Sequence, residues 1–170
     1  TGILADRWPT VIYWRALYNH ISTINDIMRE MGSKEDDTNI RAYLAQAYAL
    51  RAFDYFYLAQ IYSHTYAGNE EALCVPIMPE EGNASEQGVA RATTREVYAY
   101  IMENLNKAIT LLEANTVEYP HKGFISTEAA YALRARINLV MNNWEAAASD
   151  VERVVETTTA EPYTIEEVST

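Results

Sequence analysis

Few residues in this chain could do chemistry at a reacting centre. His20, His64 and His121 are scattered along it, and no two sit one helical turn apart as metal-binding histidines would. Cys74 is the one cysteine; beside Val75 it reads as a small packed side chain, not a nucleophile. No Gly-rich phosphate loop, nucleophile elbow or paired-Cys motif occurs. Arg51 and Asp54 are the only charges in a long apolar stretch. Three residues apart on a helix, they can pair, and a structural ion pair between them is expected. Neither has a histidine or a second carboxylate close by in sequence. No pair of carboxylates stands out as the two that a glycosidase holds about 5–9.5 Å apart. The expectation is therefore no catalytic residue, no metal and no cofactor.

The apolar stretch around Arg51 and Asp54 organises the rest. Tyr43 to Tyr62, YLAQAYALRAFDYFYLAQIY, holds seven aromatic residues in twenty and no Gly or Pro. A helix that is apolar nearly all round must be buried on several sides. Ala45, Ala49, Ala52 and Ala59 make a narrow face that a neighbouring backbone can approach. Tyr43, Ala47, Leu50, Asp54, Tyr57 and Ile61 run down another. The tyrosine hydroxyls must find partners or reach the helix ends, because unpaired buried polar groups are costly.

The chain of 170 residues is 49% hydrophobic, enough for one folded unit with a sizeable core. Its formal net charge is −11, from 24 acidic and 13 basic residues. That balance argues against nucleic acid, whose phosphates need clustered Lys and Arg, and against a basic membrane-surface patch. Thirteen Tyr against three Phe is a marked bias toward a ring with one polar end. A single cysteine permits no internal disulfide and does not fix the compartment. No apolar run reaches the ~18 residues of a membrane-spanning helix. The start, TGILADRWPT, is neither a signal peptide nor a lipid-attachment site, so any targeting segment would lie outside this chain. Thr164 to Glu167 has the form of a helix-opening capping box, and the chain is read as a fragment of a longer protein.

Helical periodicity predicts five complete helices. The first runs from about Pro9 to Met31, with Ile12, Tyr13, Ala16, Leu17, Ile21, Ile24, Ile27, Met28 and Met31 as its apolar stripe and Gly32 as its C′ residue. Trp8 and Trp14 near its start have two readings, packing or sugar stacking. Helix two spans about Thr38 to Tyr62, with acidic residues of the SKEDDT turn at its positive end. From Ser63 to Ala92 periodicity is lost, which is long for a structureless connection. Leu73 to Pro79 is expected to lie ordered on the helices, with exposed flanks Gly68–Ala72 and Glu80–Gly88. Asn83-Ala84-Ser85 fits a glycosylation acceptor, a triplet that arises easily by chance. Thr93 and Glu96 form a capping box that opens helix three, ending near Ala114. Ser126 caps helix four, which reaches about Met141. Asn142-Asn143 breaks the chain before helix five, Trp144 to Thr157.

Helices four and five fit the tetratricopeptide pattern, a repeat of period ~34. Ala135 takes the small position of the first helix, Trp144 the aromatic position after the turn, and Ala147 the small position three residues later. Asn142 replaces the turn Gly, which Asn can do because it tolerates the left-handed conformation. Helices two and three make an earlier repeat whose hairpin is opened by the insertion. This arrangement resembles the SusD/RagB family of outer-membrane glycan-binding lipoproteins. The resemblance is carried by Leu50-Arg51-Ala52-Phe53-Asp54-Tyr55-Phe56-Tyr57-Leu58-Ala59-Gln60-Ile61-Tyr62. It is carried also by Val75-Pro76-Ile77 followed by Thr93-Thr94-Arg95-Glu96-Val97-Tyr98, and by Ser126 to Val155 with Asn143-Trp144-Glu145-Ala146-Ala147 at the turn. Trp14-Arg15-Ala16-Leu17-Tyr18 in the first helix is similar too.

The resemblance implies an all-α fold of tetratricopeptide-like hairpins with a long loop insertion, residues 63–92, between helices two and three. It implies one SusD-like helical domain over 1–170, the N-terminal part of a longer, non-enzymatic surface protein. The implied partners are an oligosaccharide and a SusC-like TonB-dependent outer-membrane transporter, with a membrane link only through a lipid anchor outside this chain. Sugar binding needs exposed rings for stacking and amides or carboxylates for hydroxyls. Aromatics leave the periodic core at Trp8, Tyr66, Tyr119 and Phe124. Tyr66, with Asn69 and Glu70 close behind it, is the first choice; Tyr66, Asn69 and Trp8 are the expected ligand contacts. The competing reading is that Tyr66 packs the loop down. Two further readings stay open, a peptide-binding tetratricopeptide adaptor and a helical carbohydrate-active enzyme. The long insertion counts against the first, and the lack of a carboxylate pair against the second.

Overall fold

The computed structural model describes residues 8–34, 37–79, 88–119 and 123–157, with the side chains of the first helix described from residue 10. The described residues form five α-helices: α1 (Trp8–Met31), α2 (Thr38–Tyr62), α3 (Thr94–Glu113), α4 (Thr127–Val140) and α5 (Trp144–Thr157). Two short strands, β1 (Leu73–Pro76) and β2 (Arg91–Thr93), pair antiparallel within the insertion, with an irregularity in register between Leu73 and Pro76. The Asn83 triplet, the Glu80 flank and the Thr164 capping box lie outside the described residues.

Local rules set most of the boundaries. Asp37 caps α2, its carboxylate accepting from the amides of Asn39 at 2.8 Å and Ile40 at 3.3 Å. Thr93 and Glu96 form the expected reciprocal box at α3, and Ser126 caps α4. Between α4 and α5, Asn142 takes φ 60°. The Asn143 amide reaches back to the Asn138 carbonyl at 2.8 Å and the Asn142 amide to Leu139 at 3.1 Å, a Schellman closure built on Asn instead of Gly. Gly32 behaves differently from expectation. It does not turn left-handed; it leads into a 3-10 turn, Gly32–Lys34, that carries the chain toward Asp37.

α2 is the central helix. Its alanine face, Ala45, Ala49, Ala52 and Ala59, is fully buried. The main core joins Ala45, Ala52, Tyr55 and Phe56 of α2 to Val97, Ile101 and Leu105 of α3, and takes in Ile137 of α4 and Cys74 and Val75 of β1. A second cluster sets Ile24 and Met28 of α1 against Leu44 and Ala47 of α2. Burying each such side chain contributes about 1.5–3 kcal/mol before entropy is counted. The predicted stripe on α1 is too wide: Ile12, Tyr13, Ala16 and Ile27 face out, and only the Ile21–Ile24–Met28 edge is buried. α1 packs against the bundle from one side, so one narrow face suffices. α4 and α5 are tied by an ion pair between half-buried Arg134 and buried Asp150, with Arg134 Nε and Nη2 both donating to Asp150 and Nη1 reaching Asn106 of α3 at 2.7 Å. Ala135 and Ala147 are buried at this contact side, as the repeat pattern requires, while Trp144 is exposed.

Candidate functional site

The insertion is fixed to the helices chiefly through its backbone. Tyr18 of α1 donates to the Pro76 carbonyl at 2.8 Å, and the Met78 amide donates to the Tyr55 hydroxyl at 2.8 Å. Asn25 Nδ2 reaches the Pro79 carbonyl at 3.4 Å. Arg91 folds its guanidinium onto the carbonyls of Leu73 and Cys74. The amide and hydroxyl of Thr94 both donate to Ala72 O, and the Arg95 amide donates to Glu70 O. The flank Gly68–Ala72, expected to be a solvated edge, is therefore bonded to the start of α3, with Gly68 at φ +80° making the turn. Burial pushes the phenols of Tyr18 and Tyr55 well up, so both stay protonated hydrogen-bond groups. Tyr62 donates to Thr10, Tyr119 to Ala42 and Tyr131 to Glu113. The bias toward Tyr is thus explained in part: these rings pack like Phe and tie neighbouring segments together by their hydroxyls.

Beneath the insertion lies a buried polar cluster. Arg51 Nε donates to Asn104 Oδ1 and Nη1 to Asn25 Oδ1, each at 2.8 Å. Its guanidinium also lies 5.3 Å from the Tyr100 ring centre. The expected Arg51–Asp54 pair does not form. Asp54 takes His20 of α1 instead, Oδ2 to Nδ1 at 2.7 Å. The physical reason is competition: the Arg51 guanidinium is taken by Asn104 of α3 and Asn25 of α1, whereas Asp54 meets His20, farther toward the start of α1. Among the described residues no group of three or more metal-binding side chains converges, and no helix is long and apolar enough to cross a membrane.

The expected ligand contacts are placed as follows. Tyr66 is half-buried with its ring edge-on to Tyr98, centroids 4.9 Å apart. Asn69 Nδ2 donates to Thr65 O at 3.0 Å, closing its own turn, and its Oδ1 has no partner among the described residues. Tyr66 and Asn69 therefore share one turn, and both serve to pack and close it. Trp8 opens α1, and its side chain lies outside the described residues. Trp14 packs against Tyr18 and, edge-on, against Tyr62. Tyr119 and Phe124 stack on each other at 4.7 Å and 12°.

A second feature carries the form of a binding groove. It has a volume of about 560 Å³ and lies between the N-terminal half of α2 and the C-terminal half of α3. Leu44, Leu111 and Tyr48 form its apolar floor. Arg41, Glu103 and Lys107 stand on its rim, with Asn106 and Thr110 between them. Lys107 pairs with Glu103 at 3.0 Å. Sequence reading passed over these residues, since charged positions on a helix usually mean a solvated face. The available signal was the 3-and-4 spacing of Arg41, Leu44 and Tyr48 opposite Asn106 and Thr110.

A family model described as "Starch-binding associating with outer membrane" matches residues 4–139. The chain belongs to the SusD-like family. A SusD-like carbohydrate binding protein from Bacteroides vulgatus superimposes with TM-score 0.82 at 24% identity, over 92% of this chain and 33% of that one. A SusD superfamily protein from Bacteroides thetaiotaomicron gives 0.80 at 22%, over 91% and 34%. A laminarin binding SusD-like protein gives 0.69 at 28%, over 87% and 30%. No curated protein matches the chain. The SusD-like chain spans about a third of the length of these solved structures. Its mostly helical fold is the one they share.

Proposed function

We propose that this chain is the helical part, over residues 1–170, of a longer, non-catalytic surface protein. That protein captures oligosaccharide and hands it to a SusC-like TonB-dependent transporter in the outer membrane. The observation that carries the reading is the SusD-like family match over residues 4–139. The laminarin-binding relative and the carbohydrate-binding one support a sugar as ligand. The membrane link in this reading is a lipid anchor outside the chain. Tyr66, Asn69 and Trp8 are proposed as ligand contacts. The Tyr66 hydroxyl and Asn69 Oδ1 have no partner among the described residues and can meet sugar hydroxyls. The rigid attachment of the insertion to α1–α3 supports a contact that is preorganised. The test is affinity purification of the intact protein from outer membranes together with glycan-array binding. Recovery of a TonB-dependent transporter and binding of neutral glycans are expected. Binding of a peptide C-terminus with neither of these would replace the reading by a tetratricopeptide adaptor.

A further inference from the structure

We infer that the α2–α3 groove is a separate subsite for a carboxylate-bearing sugar unit, a hexuronate; this rests on the glycan-binding reading and adds a ligand class to it. The floor suits the C–H face of a pyranose ring: Leu44 is buried beneath it and Leu111 extends it, with the Tyr48 ring beside them under Lys107 Nζ at 5.5 Å from its centre. The rim suits a carboxylate. Arg41 is exposed, bonds only weakly to Thr38 Oγ1 at 3.4 Å, and makes no ion pair among the described residues. Its planar fork is the geometry that binds a carboxylate with two parallel hydrogen bonds. Among the described lining residues the carboxylate of Glu103 is engaged by Lys107, so it does not compete for the Arg41 guanidinium. Asn106 accepts from Arg134 with Oδ1, which leaves its amide nitrogen for a ring or hydroxyl oxygen. Thr110 donates to Asn106 O at 3.0 Å and keeps its acceptor lone pairs. An amphipathic floor with a few converging polar groups is the general form of a small-ligand site. On α3 the groove begins at Glu103, past Tyr98 on which the Tyr66 ring packs, about 7.5 Å farther along the helix at ~1.5 Å per residue.

The intact protein is titrated calorimetrically with an oligogalacturonate and with a neutral malto-oligosaccharide of equal length. The acidic sugar is expected to bind, more weakly as salt rises. Arg41→Ala should weaken it about tenfold, the size of one lost charge-assisted contact, and leave the neutral sugar unchanged. Arg29→Ala, on α1 and paired with Asp26, serves as the charge control and should change neither. Circular dichroism checks that the Arg41 variant folds. Absence of acidic-sugar binding, or binding indifferent to Arg41→Ala, overturns the inference. So does an acidic peptide that binds with the same Arg41 dependence, since the groove would then dock protein. Neutral-glycan binding and transporter recovery are unaffected by these outcomes, so the wider functional reading fails or survives on its own measurements.

Discussion

His20 Nδ1 lies 2.7 Å from Asp54 Oδ2 and joins the outer helix α1 to the central helix α2. The carboxylate is buried and the imidazole half-exposed. Burial pushes Asp54 up from its ordinary 3.8 to about 6, with the neighbouring His20 pulling back part of that rise. Between those two values the folded carboxyl keeps a proton that the unfolded chain has lost. The folded state then binds more protons, so the Asp54 contribution to stability falls as pH rises. Asp54→Asn removes this dependence. Urea unfolding should show the variant gaining on the parent by up to about 3 kcal/mol between about pH 4 and pH 6. A difference that stays constant with pH would refute the assignment.

Arg51 is a buried cation held by two asparagines from two other helices. Arg51→Met keeps the stem and removes the charge, but leaves Asn25 and Asn104 without their donor. A loss of about 2–5 kcal/mol is expected, at roughly 1–3 kcal/mol for each buried acceptor left unpaired. Arg51→Lys should recover little of it, because an ammonium cannot span both acceptors with fixed geometry. Chemical denaturation of the three proteins measures this; a Lys variant as stable as the parent would show that charge alone is what matters.

These two cases mark what the sequence discloses. The Thr93 capping box, the Ser126 cap and the Asn142 turn were legible, because each depends on residues within one helical turn. The buried alanine face of α2 was legible from spacing. The partner of Asp54 was not. Arg51 is the nearer choice in sequence, while His20 lies on another helix, and no local pattern signals which way a side chain points. The strand pair was missed for a related reason. β1 has four residues and ends in Pro, β2 has three, and neither shows alternation. The groove was hidden because Arg41 and Lys107 look like any solvated helix face until α2 and α3 are placed side by side.

The Tyr55 hydroxyl accepts from the Met78 amide across α2 and the insertion. Tyr55→Phe keeps the buried ring and deletes that acceptor. The stability loss should be about 1 kcal/mol, with the Met78 amide exchanging its hydrogen faster than in the parent. Exchange at core α3 amides should change only with global stability. No change at Met78 would mean that the Tyr55 hydroxyl does not hold the insertion, which would then rest on the Tyr18–Pro76 bond and apolar contacts.

Asn142 sits at φ 60° between α4 and α5. Ala there places a Cβ in the left-handed region without the local hydrogen bonding that Asn offers. Asn142→Ala should cost about 1–2 kcal/mol, and Asn142→Gly should be nearly neutral. Thermal unfolding of the pair decides it; equal effects would point to a lost side-chain contact and not to backbone conformation.

Tyr66 has two roles to separate. Its ring packs edge-on against buried Tyr98, and its hydroxyl is unengaged among the described residues. Tyr66→Phe retains the packing edge and the stacking face, so stability should hold within about 0.5 kcal/mol and neutral-glycan affinity should fall only slightly. Tyr66→Ala removes both. The packing loss should cost about 1 kcal/mol or more, and the lost stacking face should weaken neutral-glycan binding by roughly fivefold to tenfold. Calorimetric titration beside urea unfolding separates the two effects, because a ring that only packs lowers stability without touching affinity in the folded fraction. Unchanged affinity in the Ala variant would assign Tyr66 to packing alone and would leave the sugar contacts to other residues.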